Sequence, residues 1–141
     1  MRSRRALLIV LAIVGVIPVL TGAARIVGGL RFSPDDITTT PYLDSEYRFL
    51  SVWWVAAGVL LWWSLRRPGQ RAVVTRFLLT VMVLGGLARL VGAVLDGLPP
   101  APFQASMAIE LLGIPALLLW HRRTFPSQPA KEPDRSSDQR S

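Results

Sequence analysis

The sequence predicts an all-α integral membrane protein, an antiparallel four-helix bundle with both termini in the cytoplasm. Three observations predict this fold. Hydrophobic residues make up 51% of the 141 residues. They are concentrated in four long stretches that lack the polar face of a water-soluble helix. Arginines cluster at alternate ends of these stretches, as in multi-pass membrane proteins.

The first helix is predicted over residues 6–29, after a start rich in arginine. This stretch is long enough to cross a bilayer, and Pro18 is expected to bend it. A cleavable signal peptide is the alternative, because Thr21-Gly22-Ala23 resembles a small-residue cleavage site. Apolar residues continue as far as Leu30, which favours a retained helix.

Residues 31–47 are predicted to form a polar loop, and the second helix is predicted over residues 49–65. A helix of this length spans about 25 Å and should therefore stand nearly upright in the bilayer. Tryptophans lie toward both of its ends, as in the aromatic belts at membrane interfaces. These are Trp53, Trp54, Trp62 and Trp63.

The third helix is predicted over residues 73–95 and the fourth over residues 101–120. Pro68 and Gly69 precede the third helix, and residues 96–100, which end in two prolines, precede the fourth. Proline and glycine stop helices, so both connections are expected to be turns. Connections this short place consecutive helices side by side and antiparallel.

The charges between the helices predict the orientation. Arginines lie at the amino terminus, in residues 66–71 and after residue 121, whereas the other two connections carry mostly acidic residues. Because basic residues favour the cytoplasmic side, both termini are expected there. Residues 1–123 are predicted to form the transmembrane domain, and residues 124–141, rich in Pro and Ser, a disordered cytoplasmic tail.

Composition and motifs argue against several classes of function. The net charge of +7 is concentrated at helix ends, so the lipid bilayer rather than nucleic acid is the expected partner. The chain contains no cysteine, and His121 is interpreted as a solvated ring at a helix end. Phosphate-binding loops, zinc-binding histidine pairs and nucleophile elbows are absent. No catalytic residue, metal site or cofactor is therefore predicted.

Two ionisable residues lie well inside apolar stretches, where a charge is costly. They are Arg89 in the third helix and Glu110 in the fourth. Counted from residues 96–100, they lie at depths of about 9 and about 13 Å, an offset that an arginine side chain can bridge. We expect an ion pair, which is either a structural contact between two helices or part of a binding or conduction site.

A second polar cluster is expected at the non-cytoplasmic side. Its candidate members are Arg25, Asp44, Glu46, Arg48 and Asp96. Such a cluster would open toward the outside of the membrane. In the alternative interpretation, Arg25 and Arg48 extend to lipid headgroups and bind nothing else.

A series of short motifs is shared with a known family. The residues are Glu46-Tyr47-Arg48-Phe49, Gly58, Gly85-Gly86-Leu87-Ala88-Arg89-Leu90, Pro99-Pro100, Phe103, Glu110-Leu111 and Pro115. In this order and spacing, the region from Ala6 to Arg123 resembles the small bacterial membrane proteins of the domain of unknown function 4345 family. The resemblance implies a four-helix membrane protein with no established activity, and a location in the bacterial inner membrane is expected.

The sequence favours a non-enzymatic membrane component that binds a small or lipidic ligand, or a partner protein, in the outer half of the bundle. The alternative is a small transporter or proton-linked carrier in which Glu110 changes protonation beside Arg89. An intramembrane enzyme is the second alternative, although a carboxylate and arginines specify no nucleophile. Small residues such as Gly15, Gly22 and Gly92 are interpreted as packing positions, with homo-oligomerisation as their other use.

Overall fold

The computed structural model describes residues 2–32 and 40–126, and this part of the chain forms four helices and no strand. The helices are α1 (Arg2–Gly28, continued by a 3-10 turn at Gly29–Phe32), α2 (Pro41–Leu65), α3 (Ala72–Asp96) and α4 (Ala101–Thr124). All four are long and apolar enough to cross a membrane. The predicted all-α four-helix membrane architecture is confirmed.

Helix α2 begins at Pro41 rather than at the predicted Phe49, so residues 41–47 belong to a helix and not to the loop. Thr40 provides the start signal, because its Oγ1 accepts a hydrogen bond from the Leu43 N–H at 3.2 Å. Pro41 at the first helical position needs no N–H partner. The charged residues after Pro41 had favoured a loop. Residues 31–32 of that predicted loop belong to the 3-10 turn after α1, and residues 33–39 lie outside the described residues.

Helices α1 and α2 pack closely because small residues face each other. A Cβ atom added to Gly58 would lie 2.7 Å from Val19 Cγ2 and 2.8 Å from the Gly15 carbonyl oxygen. Gly15 and Gly22 are both buried in this contact. Their interpretation as packing positions therefore agrees with the structure. Gly92 differs, because an added Cβ there would meet nothing within 4 Å.

Two of the four predicted belt tryptophans donate their indole N–H groups to α1. Trp54 Nε1 donates to Thr21 Oγ1 at 3.0 Å, and Trp62 Nε1 donates to the Ala12 carbonyl oxygen at 2.9 Å. Trp53 remains exposed, as a belt residue would be. An indole N–H has one hydrogen bond to donate, and here the neighbouring helix accepts it.

The best-packed part of the bundle lies at the end that carries the arginine clusters, which we call the basic half. Its fully buried side chains include Leu7, Leu11, Leu79 and Ile114. The buried hydroxyls of Ser64 and Thr75 lie 2.8 Å apart and join α2 to α3. The opposite half contains Asp44, Glu46 and Asp96, and we call it the acidic half.

Two predictions about the basic half are wrong. The ring of His121 is fully buried rather than solvated, and it packs against Phe125 with ring centroids 5.1 Å apart. Phe125 itself is 7% exposed and belongs to the core, although it falls within the predicted tail. Burial of the large apolar ring of Phe125 is stabilising, whereas both ring nitrogens of His121 are buried without a hydrogen-bond partner among the described residues. The remaining tail, residues 127–141, lies outside the described residues.

Candidate functional site

Two adjoining cavities lie in the acidic half and share three lining residues, Arg25, Trp54 and Arg89. The larger cavity, of about 370 Å³, is also lined by Thr21 and by Phe103. The smaller, of about 170 Å³, is also lined by Leu50 and Ser51. All four helices therefore contribute to one polar site with apolar walls.

Helical spacing explains why these residues meet. Thr21 and Arg25 lie one turn apart on α1, and Phe103 and Ser106 lie one turn apart on α4. Residues three or four positions apart point to the same side of a helix. This spacing was a usable signal for the site. The sequence does not reveal the site, because Trp54 is typical of an interfacial belt and Phe103 matches only a family motif.

Arg89 and Glu110 are brought together, as expected from their depth. Arg89 Nε lies 3.2 Å from Glu110 Oε2, and the side chains are 35% and 7% exposed. Glu110 Oε1 accepts a hydrogen bond from Ser106 Oγ at 3.1 Å. Oε2 has no hydrogen-bond partner among the described residues, so its contact with Arg89 is an ion pair without hydrogen-bond geometry. The carboxylate is the buried member of the pair.

Glu110 lies in a π-helical turn, Ile109–Gly113, within α4. The Ile114 N–H donates to the Ile109 carbonyl oxygen, five residues back. Pro115 follows, and a proline ring clashes with the carbonyl four residues before it, here that of Leu111. Widening the helix at this point relieves the clash. The proline therefore explains why the predicted uninterrupted helix is interrupted beside Glu110.

The two cavity arginines also contact aromatic rings. The Arg89 guanidinium carbon lies 5.7 Å from the centroid of Phe103, and that of Arg25 lies 5.4 Å from the centroid of Tyr47. Both distances fall within cation–π range. Among the described residues, Arg25 has no ion pair with a carboxylate. Its charge is therefore left facing the cavity.

Asp44 and Arg48 form a separate contact that holds the end of α1. Arg48 Nε donates to Asp44 Oδ2 at 2.7 Å, and Nη1 donates to the carbonyl oxygens of Ile26 and Val27. Asp44 Oδ1 accepts the Leu30 N–H at 2.8 Å. These bonds satisfy backbone groups that a helix end leaves unpaired. We call this group the Asp44–Arg48 clamp.

The five residues of the predicted outer cluster therefore do not form one site. Arg25 lines the cavities and Asp44 and Arg48 form the clamp, whereas Glu46 and Asp96 are exposed and make no ion pair within the described residues. The cluster predicted from shared location divides because Arg48 reaches backward to α1. No group of three metal-ligating side chains occurs in the described residues.

Comparison with known proteins identifies one family. A family model described as "Domain of unknown function (DUF4345)" matches residues 6–121, which is most of the chain. No curated protein and no solved structure matches. The description of this family assigns no activity.

Proposed function

Because the chain belongs to the domain of unknown function 4345 family, whose description gives no activity, we propose its role from the geometry of the acidic half. It is a non-enzymatic, multi-pass membrane component that binds a small or lipidic ligand in the cavities between the four helices. The lipid bilayer is the partner that this role requires.

The observation that carries the proposal is a concave site with few polar groups and two arginines. Its larger part, at about 370 Å³, falls in the range of small-molecule sites, which runs from about 300 to 1,000 Å³. Such sites combine apolar walls with a few polar groups that orient a ligand. Here Ile17 and Phe103 supply apolar wall, and Arg25 and Arg89 supply the polar groups.

The hydroxyl groups that line the cavities already make hydrogen bonds, and this favours a binding role over catalysis. Thr21 and Ser51 donate to carbonyl oxygens of their own helices. Ser106 donates to Glu110, but the third member of this group is a cation, Arg89, and not the acceptor that orients a histidine base in hydrolase triads. The described lining of the cavities includes no histidine or lysine.

The proposal includes an orientation in the bacterial inner membrane. With both termini cytoplasmic, the basic half faces the cytoplasm and the cavities lie toward the other side. The support is that arginines of the amino terminus, the α2–α3 turn and the end of α4 all lie in the basic half. Basic residues favour that side of the membrane.

Occupancy of the cavity tests the proposal. The full chain is purified in lipid nanodiscs, and copurifying molecules are identified by native mass spectrometry. Ile17→Trp places a larger side chain at the wall of the larger cavity. Ile13→Trp is the control, because Ile13 lies one turn away on α1, is also exposed and lines neither cavity. We expect bound ligand to fall severalfold with Ile17→Trp and to stay constant with Ile13→Trp. Equal ligand content in both variants would contradict the proposal. A comigrating protein or a second copy, displaced by Ile17→Trp, would identify a protein occupant instead.

A small transporter or proton-linked carrier is the second candidate, and one observation favours it. Glu110 is a buried carboxylate in a π-helical turn, and such turns recur at functional sites. Proteoliposomes with an entrapped pH-sensitive dye test this role. Carrier activity requires proton uptake that Glu110→Gln abolishes, and Asp96→Asn, an exposed carboxylate of the same half, should leave it intact.

A further inference from the structure

We infer that the ligand is an amphiphile whose phosphate or carboxylate headgroup binds between Arg25 and Arg89 and whose apolar chain lies between α2 and α3. This inference rests on the proposed function, because it concerns the same cavities. It assigns a chemical class to the ligand and a separate role to each part of the site.

The charge of the described lining is positive. Arg25 and Arg89 line both cavities, whereas Glu110, which partly neutralises Arg89, lines neither. Arg89 contacts Glu110 through Nε and remains 35% exposed. Charges interact more strongly in surroundings of low dielectric than in water. The site therefore favours an anion over a cation or a neutral molecule.

The hydrogen-bond donors that remain available are those of the two arginines. Thr21 Oγ1 donates to the Ile17 carbonyl oxygen and accepts from Trp54, so both side chains are occupied. Ser51 donates to the Tyr47 carbonyl oxygen. A guanidinium has donors and no acceptor, and its planar fork matches two oxygens of one phosphate or carboxylate. The ligand must therefore present acceptor oxygens.

A third cavity provides a place for the apolar chain. It measures about 220 Å³, is lined mainly by apolar side chains, and shares Leu50 and Trp54 with the smaller arginine cavity. Ala57 of α2 and Met82 of α3 lie on its walls, and no charged residue lines it. A molecule with its headgroup at the arginines can extend its chain past Trp54 into this space.

Binding of defined probes tests the inference. The full chain in phosphatidylcholine nanodiscs is titrated with dodecyl phosphate, dodecanoate, dodecanol, dodecyltrimethylammonium and inorganic phosphate, and binding is followed by native mass spectrometry. We expect the two anionic amphiphiles to bind and the alcohol and the ammonium compound to bind at least tenfold more weakly. Inorganic phosphate should bind more weakly than dodecyl phosphate, because it cannot use the third cavity.

Substitutions test which residues bind the headgroup and which contact the apolar chain. Arg25→Gln should weaken both anionic amphiphiles by about tenfold to a hundredfold, the range expected for a lost charge-assisted hydrogen bond. Arg31→Gln is the matched control, because it removes an exposed positive charge from the same half outside the cavities. Ala57→Leu should weaken dodecyl phosphate and leave inorganic phosphate unchanged.

The role of Arg89 is tested in a variant that also neutralises Glu110, because loss of Arg89 alone leaves the buried Glu110 carboxylate without a cation. The neutral double variant Arg89→Gln/Glu110→Gln should fold and should bind dodecyl phosphate at least tenfold more weakly. Unchanged affinity in both this variant and Arg25→Gln would overturn the inference.

The remaining outcomes separate the inference from the proposed function. Tighter binding of the alcohol or the ammonium compound, reduced by Ile17→Trp, would preserve the proposed function and overturn the anionic headgroup. Inorganic phosphate that binds as tightly as dodecyl phosphate would overturn the apolar chain. Failure of every probe, together with copurifying molecules that Ile17→Trp does not displace, would overturn both.

Discussion

Gly86 of α3 lies directly against Glu110 of α4, and a Cβ atom added to the glycine would lie 2.8 Å from the Glu110 Cβ. Leu111 is the next nearest neighbour, at 3.2 Å. The close approach of the two backbones at this point brings Arg89, one turn after Gly86, within reach of the carboxylate. The ion pair therefore depends on a residue without a side chain.

Replacement of Gly86 tests this dependence. Gly86→Ala should lower the free energy of unfolding by about 1–3 kcal/mol, because the added methyl overpacks the contact with α4. Gly85→Ala is the matched control, since its Cβ would meet nothing within 4 Å. Alanine is the better helix former, so the control should be neutral or stabilising by up to about 1 kcal/mol. Unfolding in mixed detergent micelles measures both, and equal effects would contradict the expectation.

The ion pair itself should respond asymmetrically to neutralisation. Arg89→Gln leaves a buried carboxylate, whereas Glu110→Gln leaves an arginine that is one-third exposed. We expect Arg89→Gln to cost about 1–2 kcal/mol and Glu110→Gln less, with partial recovery in the double variant. The same unfolding assay completes the double-mutant cycle. A larger cost for Glu110→Gln would show that the arginine is the buried partner.

The Asp44–Arg48 clamp should stabilise the junction of α1 and α2. Arg48→Met keeps most of the side-chain stem but removes the donors to the Ile26 and Val27 carbonyl oxygens, which should cost about 1–3 kcal/mol. Glu46→Gln, an exposed change two residues away, should stay within about 0.5 kcal/mol. Thermal unfolding of both variants measures the difference. An Arg48→Met variant that unfolds at the same temperature as the unsubstituted protein would show that the clamp does not stabilise the fold.

The absence of cysteine makes the proposed orientation directly measurable. Single cysteines are introduced at Gln70, in the basic half, and at Leu98, in the acidic half; both positions are exposed. In intact spheroplasts, a membrane-impermeant maleimide should label Leu98→Cys, and Gln70→Cys should react only after permeabilisation. The reverse pattern would place the termini outside.

The sequence predicts the four helices and the Arg89–Glu110 contact because both follow from the cost of placing polar groups in hydrocarbon. The cavities could not be predicted in the same way. By residue type, Trp54 is typical of a membrane interface. Its hydrogen bond to Thr21, which the sequence does not show, places it beside Arg25. Burial of His121 likewise depends on how the helix ends meet, which no local pattern encodes.

The division of the polar cluster was also beyond sequence reasoning. Arg48 and Arg25 have the same charge and similar positions along their helices. Arg48 contacts α1 because the backbone turns at Gly29, where φ is +60°, and leaves carbonyl oxygens within its reach. Such a turn favours glycine, but glycine alone does not show which arginine will bind there.

The π-helical turn at Ile109–Gly113 sets the rotational register of everything before it in α4. Relative to an uninterrupted α-helix, one extra residue in the turn rotates the Ala101–Ala108 segment by about 100° about the helix axis. Phe103 and Ser106 reach the cavity wall only in this rotated setting. If the turn tightened to α-helical geometry, both would swing away from Arg89 while the two ends of the bundle stayed in place. A single-residue deletion within the turn would remove the extra residue and keep Phe103 and Ser106 at the wall, whereas tightening the turn at full length would remove one wall of the site.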